Sequence, residues 1–196
     1  MTRPVSLAVC LAALLGTAAV SPAAILTYTA ALNGPNEVPV NASPGTGTAQ
    51  VDYDNVTHMM RVQVSFTGLL GTTTASHIHG PTAVAGAGTA GVVTTTPTFP
   101  GFPGGVTSGS YDNTLDLTLA SSWNPSFITS NGGTPGTAET VLAAAMAAGQ
   151  AYLNIHTTFA PGGEIRGFLT PVPEPVALLS LAVAALPILR KRRRRD

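Results

Sequence analysis

The chain has 196 residues with nine basic and nine acidic side chains, and its only cysteine is Cys10. This length suits one domain with its own core, and a single cysteine excludes a scaffold held together by disulfides. The basic residues are concentrated at the carboxyl end, and residues 24–171 contain seven acidic residues, two arginines and no lysine, so binding to nucleic acid or to an anionic membrane is not expected.

The amino terminus has the pattern of a secretory signal peptide. Arg3 supplies positive charge, residues 5–20 form an apolar segment rich in Leu and Ala, and small residues with a proline follow. This pattern predicts a signal helix over residues 1–23, export through the Sec translocon, and cleavage by signal peptidase between Ala23 and Ala24.

Residues 24–171 show the alternation of apolar and polar residues that is typical of half-buried strands. The alternation predicts strands at residues 26–32, 48–54, 60–66, 76–79, 114–119, 151–157 and 164–169. One short helix is expected, capped by Thr137, with Glu139 in its first turn and Gly149 at its end. Residues 84–109, rich in Gly and Pro, are expected to form a long loop with a short strand at 91–95. The fold class is therefore all-β, an antiparallel sandwich with one helical insertion.

Three pieces of this segment occur in a characteristic order. They are residues 32–39 (LNGPNEVP), residues 76–81 (SHIHGP), and residues 152–157 (YLNIHT) followed by 161–167 (PGGEIRG). In combination they resemble the CHRD domain, a module common in exported bacterial proteins, over residues 26–169. The resemblance implies an immunoglobulin-like β-sandwich. It implies no catalytic activity, which favours a non-enzymatic role at the cell surface or in the extracellular matrix.

The histidines are the only candidates for chemistry. His77 and His79 lie on the same face of one predicted strand, and His156 lies near the end of another. If the two strands are neighbours, three imidazoles meet in a set that suits Zn or Cu(II), with affinity falling below pH ~6.5. This set would make the chain a metal-binding or redox-related exported protein. Alternatively, the rings hydrogen-bond loop carbonyls and the Glu164 carboxylate without any metal. Both interpretations stay open, and no other cofactor is expected.

Three further positions have expected roles that the fold can test. Glu164 and Arg166 share one strand face and are expected to form an ordinary ion network on the sheet surface. His58 lies in a turn and is expected to be solvated. Trp123 is expected to be a partly buried anchor, with a sugar-stacking platform as the alternative.

The carboxyl end has three parts. Val172, Pro173, Glu174 and Pro175 are followed by the apolar residues 176–189 and the basic residues 190–195. As a helix the apolar part reaches only ~21 Å, less than the ~30 Å of a hydrocarbon core, and the basic part is expected to stay in the cytoplasm.

This arrangement over residues 172–196 resembles the PEP-CTERM sorting signal. The resemblance implies recognition by an exosortase, a transient stay in the inner membrane, and then release or transfer to the cell surface. The partners expected there are exopolysaccharide or other extracellular proteins. The alternative is a plain carboxyl-terminal anchor.

Overall fold

A computed structural model describes residues 25–173, which fold around eight β-strands. The strands are β1 Leu26–Asn33, β2 Thr46–Asp54, β3 Met59–Thr67, β4 Thr73–His79, β5 Gly109–Asp116, β6 Tyr152–Thr157, β7 Ile165–Phe168 and β8 Thr170–Pro171. The predicted signal peptide with its cleavage site at Ala23 and Ala24 lies outside the described residues. So does the tail from Glu174 and Pro175 onward, with its apolar and basic parts. Within residues 25–173, no helix combines the length and apolar character needed to span a membrane.

The strands form one continuous antiparallel sheet that curls over its core. Their order is β4-β6-β7-β1-β2-β3-β5, and β8 also pairs with β1. Strand β1 pairs with β8 near its start, through Tyr28 and Thr29, and with β7 only at its end, where Asn33 lies opposite Arg166. The all-β, antiparallel prediction is therefore confirmed, with the strands joined in a single curled sheet.

The predicted long loop covers the outer edge of β4. The amide of Val93 donates to Ile78 O at 2.9 Å, the amide of Phe99 donates to Ser76 O at 3.1 Å, and the amide of Thr73 donates to Val106 O at 2.8 Å. The expected strand at 91–95 is reduced to isolated bridges at Val92 and Thr94. Because the loop occupies hydrogen-bonding groups of an edge strand, that edge is protected from pairing with other chains.

The core lies on the concave face of the sheet. Val62, Val64, Phe66, Ile78, Leu117, Leu153 and Ile155, all expected to be buried, are indeed in the core. Phe168 was also expected there but is only half-buried. It faces the opposite side of the sheet, where its ring lies 5.3 Å from that of Tyr152.

Several element boundaries differ from the sequence-based expectation. Strand β5 begins at Gly109 and ends at Asp116, because its pairing with β3 is continuous over that range. It does not continue to residue 119, since the Asp116 carboxylate accepts the Thr118 amide at 2.9 Å and turns the chain.

Between residues 25 and 173 there are two α-helices where one was expected: α1 Pro125–Ser130 and α2 Pro135–Ala147. The cap of α2 is Thr134 and not Thr137, whose side chain completes a reciprocal capping box. Two short 3-10 turns lie at Gly34–Asn36 and Ala120–Ser122.

Candidate metal centre

Strands β4 and β6 bring three histidines onto one face of the sheet. In their antiparallel register, His77 lies opposite Asn154 and His156 lies opposite Ala75. His79 is two residues beyond His77 and therefore on the same face. One ring nitrogen from each histidine lies within 4.8 Å of the other two. The sequence-based prediction that three imidazoles meet depended on the two strands being neighbours, and β4 and β6 are indeed paired. Metal binding itself stays a prediction.

The other nitrogen of each ring donates a hydrogen bond to a backbone carbonyl. The acceptors are Pro97 O at 2.6 Å from His77 Nε2, Ala90 O at 3.0 Å from His79 Nδ1, and Pro161 O at 2.9 Å from His156 Nδ1. A carbonyl acceptor fixes the tautomer, because the proton must sit on the nitrogen that faces it. Histidines that bind metals are commonly oriented by such carbonyl bonds.

The nitrogens that carry the free lone pairs are His77 Nδ1, His79 Nε2 and His156 Nε2. All three are buried and have no hydrogen-bond partner. A buried acceptor without a partner costs roughly 1–3 kcal/mol. An ion bound among them would satisfy all three, which is one of the recognised reasons for such groups in a folded protein.

The rings are neutral at physiological pH. Burial lowers the pKa of His77 and of His79 to about 4, although the hydrogen bond to a carbonyl acts in the opposite direction in each case. Burial also lowers the pKa of His156. Neutral imidazole is the form that coordinates metals, so protons compete with an ion only at a lower pH than the ~6.5 expected from the sequence.

A buried cation lies behind the site. The ring of Tyr152 stacks on that of His79 with centroids 4.9 Å apart and 6° between the planes. The guanidinium carbon of Arg166 lies 4.7 Å from the Tyr152 centroid. Arg166 is 2% exposed and donates to the carbonyls of Asn36 and Gly88. The result is a stack in which a fixed positive charge is separated from a candidate ligand ring by one aromatic side chain.

Glu37 is the acidic partner of this cation. Its Oε2 lies 3.8 Å from Arg166 Nε, and both side chains are 3% exposed. Burial raises the pKa of Glu37 to about 7, although the Arg166 charge acts in the opposite direction. Near neutral pH this carboxyl therefore offsets the arginine only in part.

The prediction that Glu164 and Arg166 form an ion network on the sheet surface is wrong, because both side chains are buried. Glu164 does not contact the histidine rings either. Its carboxylate accepts hydrogen bonds from Ser43 Oγ, Thr157 Oγ1 and the amides of Leu70 and Gly71. Burial alone would raise its pKa, but these four bonds offset that effect and leave the pKa below the ordinary value. Its role in the fold is to tie the loop at Ser43 and the β3–β4 loop to the end of β6.

Two other expectations need correction. His58 is only half-exposed and is not simply solvated, since its Nδ1 lies 2.9 Å from the carboxylate of Glu139, a buried residue of α2. Tyr53 also donates to Glu139 at 2.7 Å, so the β2–β3 turn is joined to the helix. Trp123 is 2% exposed and donates to Leu117 O at 2.9 Å, which excludes a sugar-stacking platform.

The sequence reasoning missed Glu37, Tyr152 and Arg166 as neighbours of the site. One signal was available, because Arg166 is one of only two arginines between residues 24 and 171 and lies within an apolar strand. A charge in that position has to be paired or hydrogen-bonded.

Comparison with known proteins supports the sequence resemblance. The family profile of the CHRD domain matches residues 28–169, a range that contains most of β1, all of β2 through β7 and all three candidate ligands. Neither the comparison with curated proteins nor the comparison with solved structures gave a match.

Proposed function

The chain belongs to the CHRD domain family, and from this premise we propose that it is an exported, non-enzymatic protein that binds a transition metal through His77, His79 and His156. CHRD domains suggest a secreted or extracellular location, and the amino-terminal signal pattern is consistent with that location. The proposal includes the immunoglobulin-like sandwich that the resemblance implies for the curled sheet.

Two observations carry the metal proposal together: one nitrogen of each of the three rings lies within 4.8 Å of the other two, and one nitrogen of each ring is buried without a hydrogen-bond partner. A water molecule among them has only two protons to donate, so one of the three lone pairs would stay unpaired. An ion with His–metal bonds of ~2.0–2.1 Å places tetrahedral ligand atoms ~3.3 Å apart. Because the present separations reach up to 4.8 Å, the rings move inward by at most ~1 Å each to hold it.

The test is titration of the exported protein, purified in the presence of a chelator and then freed of it, with Zn(II) and Cu(II) in a calorimeter. We expect one equivalent to bind and His156→Ala to weaken binding at least 100-fold. His58→Asn is the matched control, because it removes a histidine outside the site and Asn tolerates the φ of 58° found there. Equal heats for the wild type and His156→Ala would leave the three histidines with a structural role only.

We propose further that the tail directs sorting by an exosortase, through a brief stay in the inner membrane, to the cell surface or medium. In support, Val172 follows β8 directly and Val172 and Pro173 are both exposed, so the start of the motif is accessible. Mass spectrometry of the secreted form is expected to find neither residues 176–189 nor residues 190–195. An intact carboxyl end in that fraction would establish a plain anchor instead.

Association with surface polysaccharide is a second candidate function, and one observation favours it. A polar row crosses four neighbouring strands on the outer face of the sheet, formed by Thr29, Gln50, Gln63 and Asp112. The row lines a shallow cleft of about 690 Å³. Hydroxyl and amide groups of this kind can hydrogen-bond sugar hydroxyls. Cosedimentation with the host's purified exopolysaccharide tests this, and equal binding by Gln50→Ala/Gln63→Ala would exclude the row.

A further inference from the structure

The stack of Arg166, Tyr152 and His79 bears on which ion the site prefers. Arg166 lies 4.7 Å from the Tyr152 ring, and the Tyr152 ring lies 4.9 Å from the His79 ring. Carbonyls of Asn36 and Gly88 hold the guanidinium in place. We infer that the three-histidine site selects copper and binds Cu(I) as well as Cu(II), with Arg166 as a positioning residue that favours the monovalent ion. This inference rests on the metal-binding function proposed above.

The first argument is charge. Three neutral imidazoles leave the full charge of the ion in place, since the ligand group contains no carboxylate and no thiolate. Coulomb repulsion between the ion and the Arg166 guanidinium is proportional to the charge of the ion. A divalent ion is therefore destabilised twice as much as a monovalent one. Glu37 weakens this effect but does not cancel it, because burial leaves that carboxyl partly protonated near neutral pH.

The second argument is coordination number. The three lone-pair nitrogens are all buried, so an ion among them has three protein ligands and is shielded from bulk water. Zn(II) almost always takes four ligands in proteins, whereas Cu(I) is stable with three. Among the divalent ions, nitrogen sites bind Cu(II) more tightly than Zn(II). Copper, whether as Cu(I) or as Cu(II), is thus favoured over Zn(II).

The experiment measures the affinities of the exported protein for Cu(I), Cu(II) and Zn(II) by competition with chromogenic chelators, with ascorbate supplying the electron that converts Cu(II) to Cu(I). We expect Cu(I) to bind at least 100-fold more tightly than Zn(II). The His156→Ala variant should lose measurable binding of both ions. The Cu(II) form should show nitrogen hyperfine structure in its electron paramagnetic resonance spectrum. His58→Asn should match the wild type in every measurement.

The reduction potential tests the role of Arg166 separately. Arg166→Gln removes the charge and should improve Cu(II) binding relative to Cu(I) about tenfold, which is a potential lower by ~59 mV for one electron. Arg166→Lys keeps the charge and should stay near the wild-type potential. Equal potentials in the two variants would refute the charge effect. If either variant fails to fold, the wild-type ratio of Cu(I) to Zn(II) affinity decides the inference.

The outcomes separate the inference from the function on which it rests. Zinc bound as tightly as Cu(I) would overturn copper selectivity and leave the metal-binding proposal standing. No binding of any of the three ions would overturn both.

Discussion

Replacement of Glu164 by Gln is expected to destabilise the domain by roughly 3 kcal/mol, although the two side chains are nearly the same size. Glu164 is fully buried. Its Oε1 accepts from Ser43 Oγ at 2.6 Å and from the Leu70 amide at 2.6 Å. Its Oε2 accepts from Thr157 Oγ1 at 2.6 Å and from the Gly71 amide at 3.1 Å.

The magnitude follows from what a carboxamide in place of the carboxylate would present to these donors. Whichever way the amide is turned, its NH₂ group faces one hydroxyl, which can rotate to accept, and one backbone N–H, which cannot. That N–H loses its partner at a cost of ~1–3 kcal/mol, and the bonds that remain lose the extra strength of a charged acceptor. Against a total stability of ~5–15 kcal/mol, a loss of this size is easily measured.

Urea denaturation of the purified exported protein at pH 7 is the assay. The control is Asp112→Asn, which breaks an ion pair with Arg61 at 2.6 Å whose side chains are about half-exposed. Because water screens this exposed pair, its loss should cost far less stability than Glu164→Gln. Because the pKa of Glu164 is lowered in the folded state, its contribution is present at neutral pH and is lost as the pH falls below its ordinary 4.5. The deficit of Glu164→Gln should therefore shrink near pH 3, and a cost at pH 7 no larger than that of Asp112→Asn would refute the reasoning.

Three further outcomes are expected. Metal-free protein should lose roughly 3 kcal/mol of stability for each of His77 and His79 between pH 6.5 and about 4, because the unfolded rings take up protons that the folded rings do not. When acid unfolding is followed by circular dichroism, stability should depend less steeply on pH in the double variant His77→Gln/His79→Gln than in the wild type. The same pH dependence in both proteins would contradict the lowered pKa values of the two histidines. Calorimetric metal affinity should not fall at pH 6.5, because burial lowers the pKa of all three rings; a steep loss there would mean that the rings titrate normally. Asn124→Ala should cost at least ~1 kcal/mol in thermal denaturation, because Asn124 caps α1 and also donates to Val92 O. Asn124→Ser loses only the bond to Val92 O and should cost less; equal losses would exclude the cap.

The strands of this domain were predictable because side chains alternate strictly along them. That alternation places His77 and His79 on one face whatever the strand pairs with, and it separates Leu153 and Ile155 from His156. Helix α1 was missed because six residues are too few to show a helical period. Its only signal was Asn124 before Pro125, which is a cap followed by a favourable first residue.

The surroundings of the site could not be predicted in the same way. The donors to Glu164 come from loops at Ser43, Leu70 and Gly71, whose approach depends on how the whole sheet curls. The position of Arg166 behind Tyr152 requires β7 to lie beside β6, which no local pattern indicates. The sequence therefore identifies candidate ligands, and tertiary packing decides their protonation and electrostatic environment.

The long loop is as much a part of the candidate centre as the strands are. Ala90 and Pro97, which accept from His79 and His77, both belong to the loop that covers β4, and Pro161 holds His156 from the β6–β7 turn. Each carbonyl fixes which ring nitrogen keeps its lone pair, so the strands bring the rings together and the loops decide where the lone pairs point. An ion that binds only when all three lone pairs converge also stabilises the loop conformation that orients them. In the proposed metal site, this coupling would give the Gly- and Pro-rich loop a role in binding although it supplies no ligand of its own.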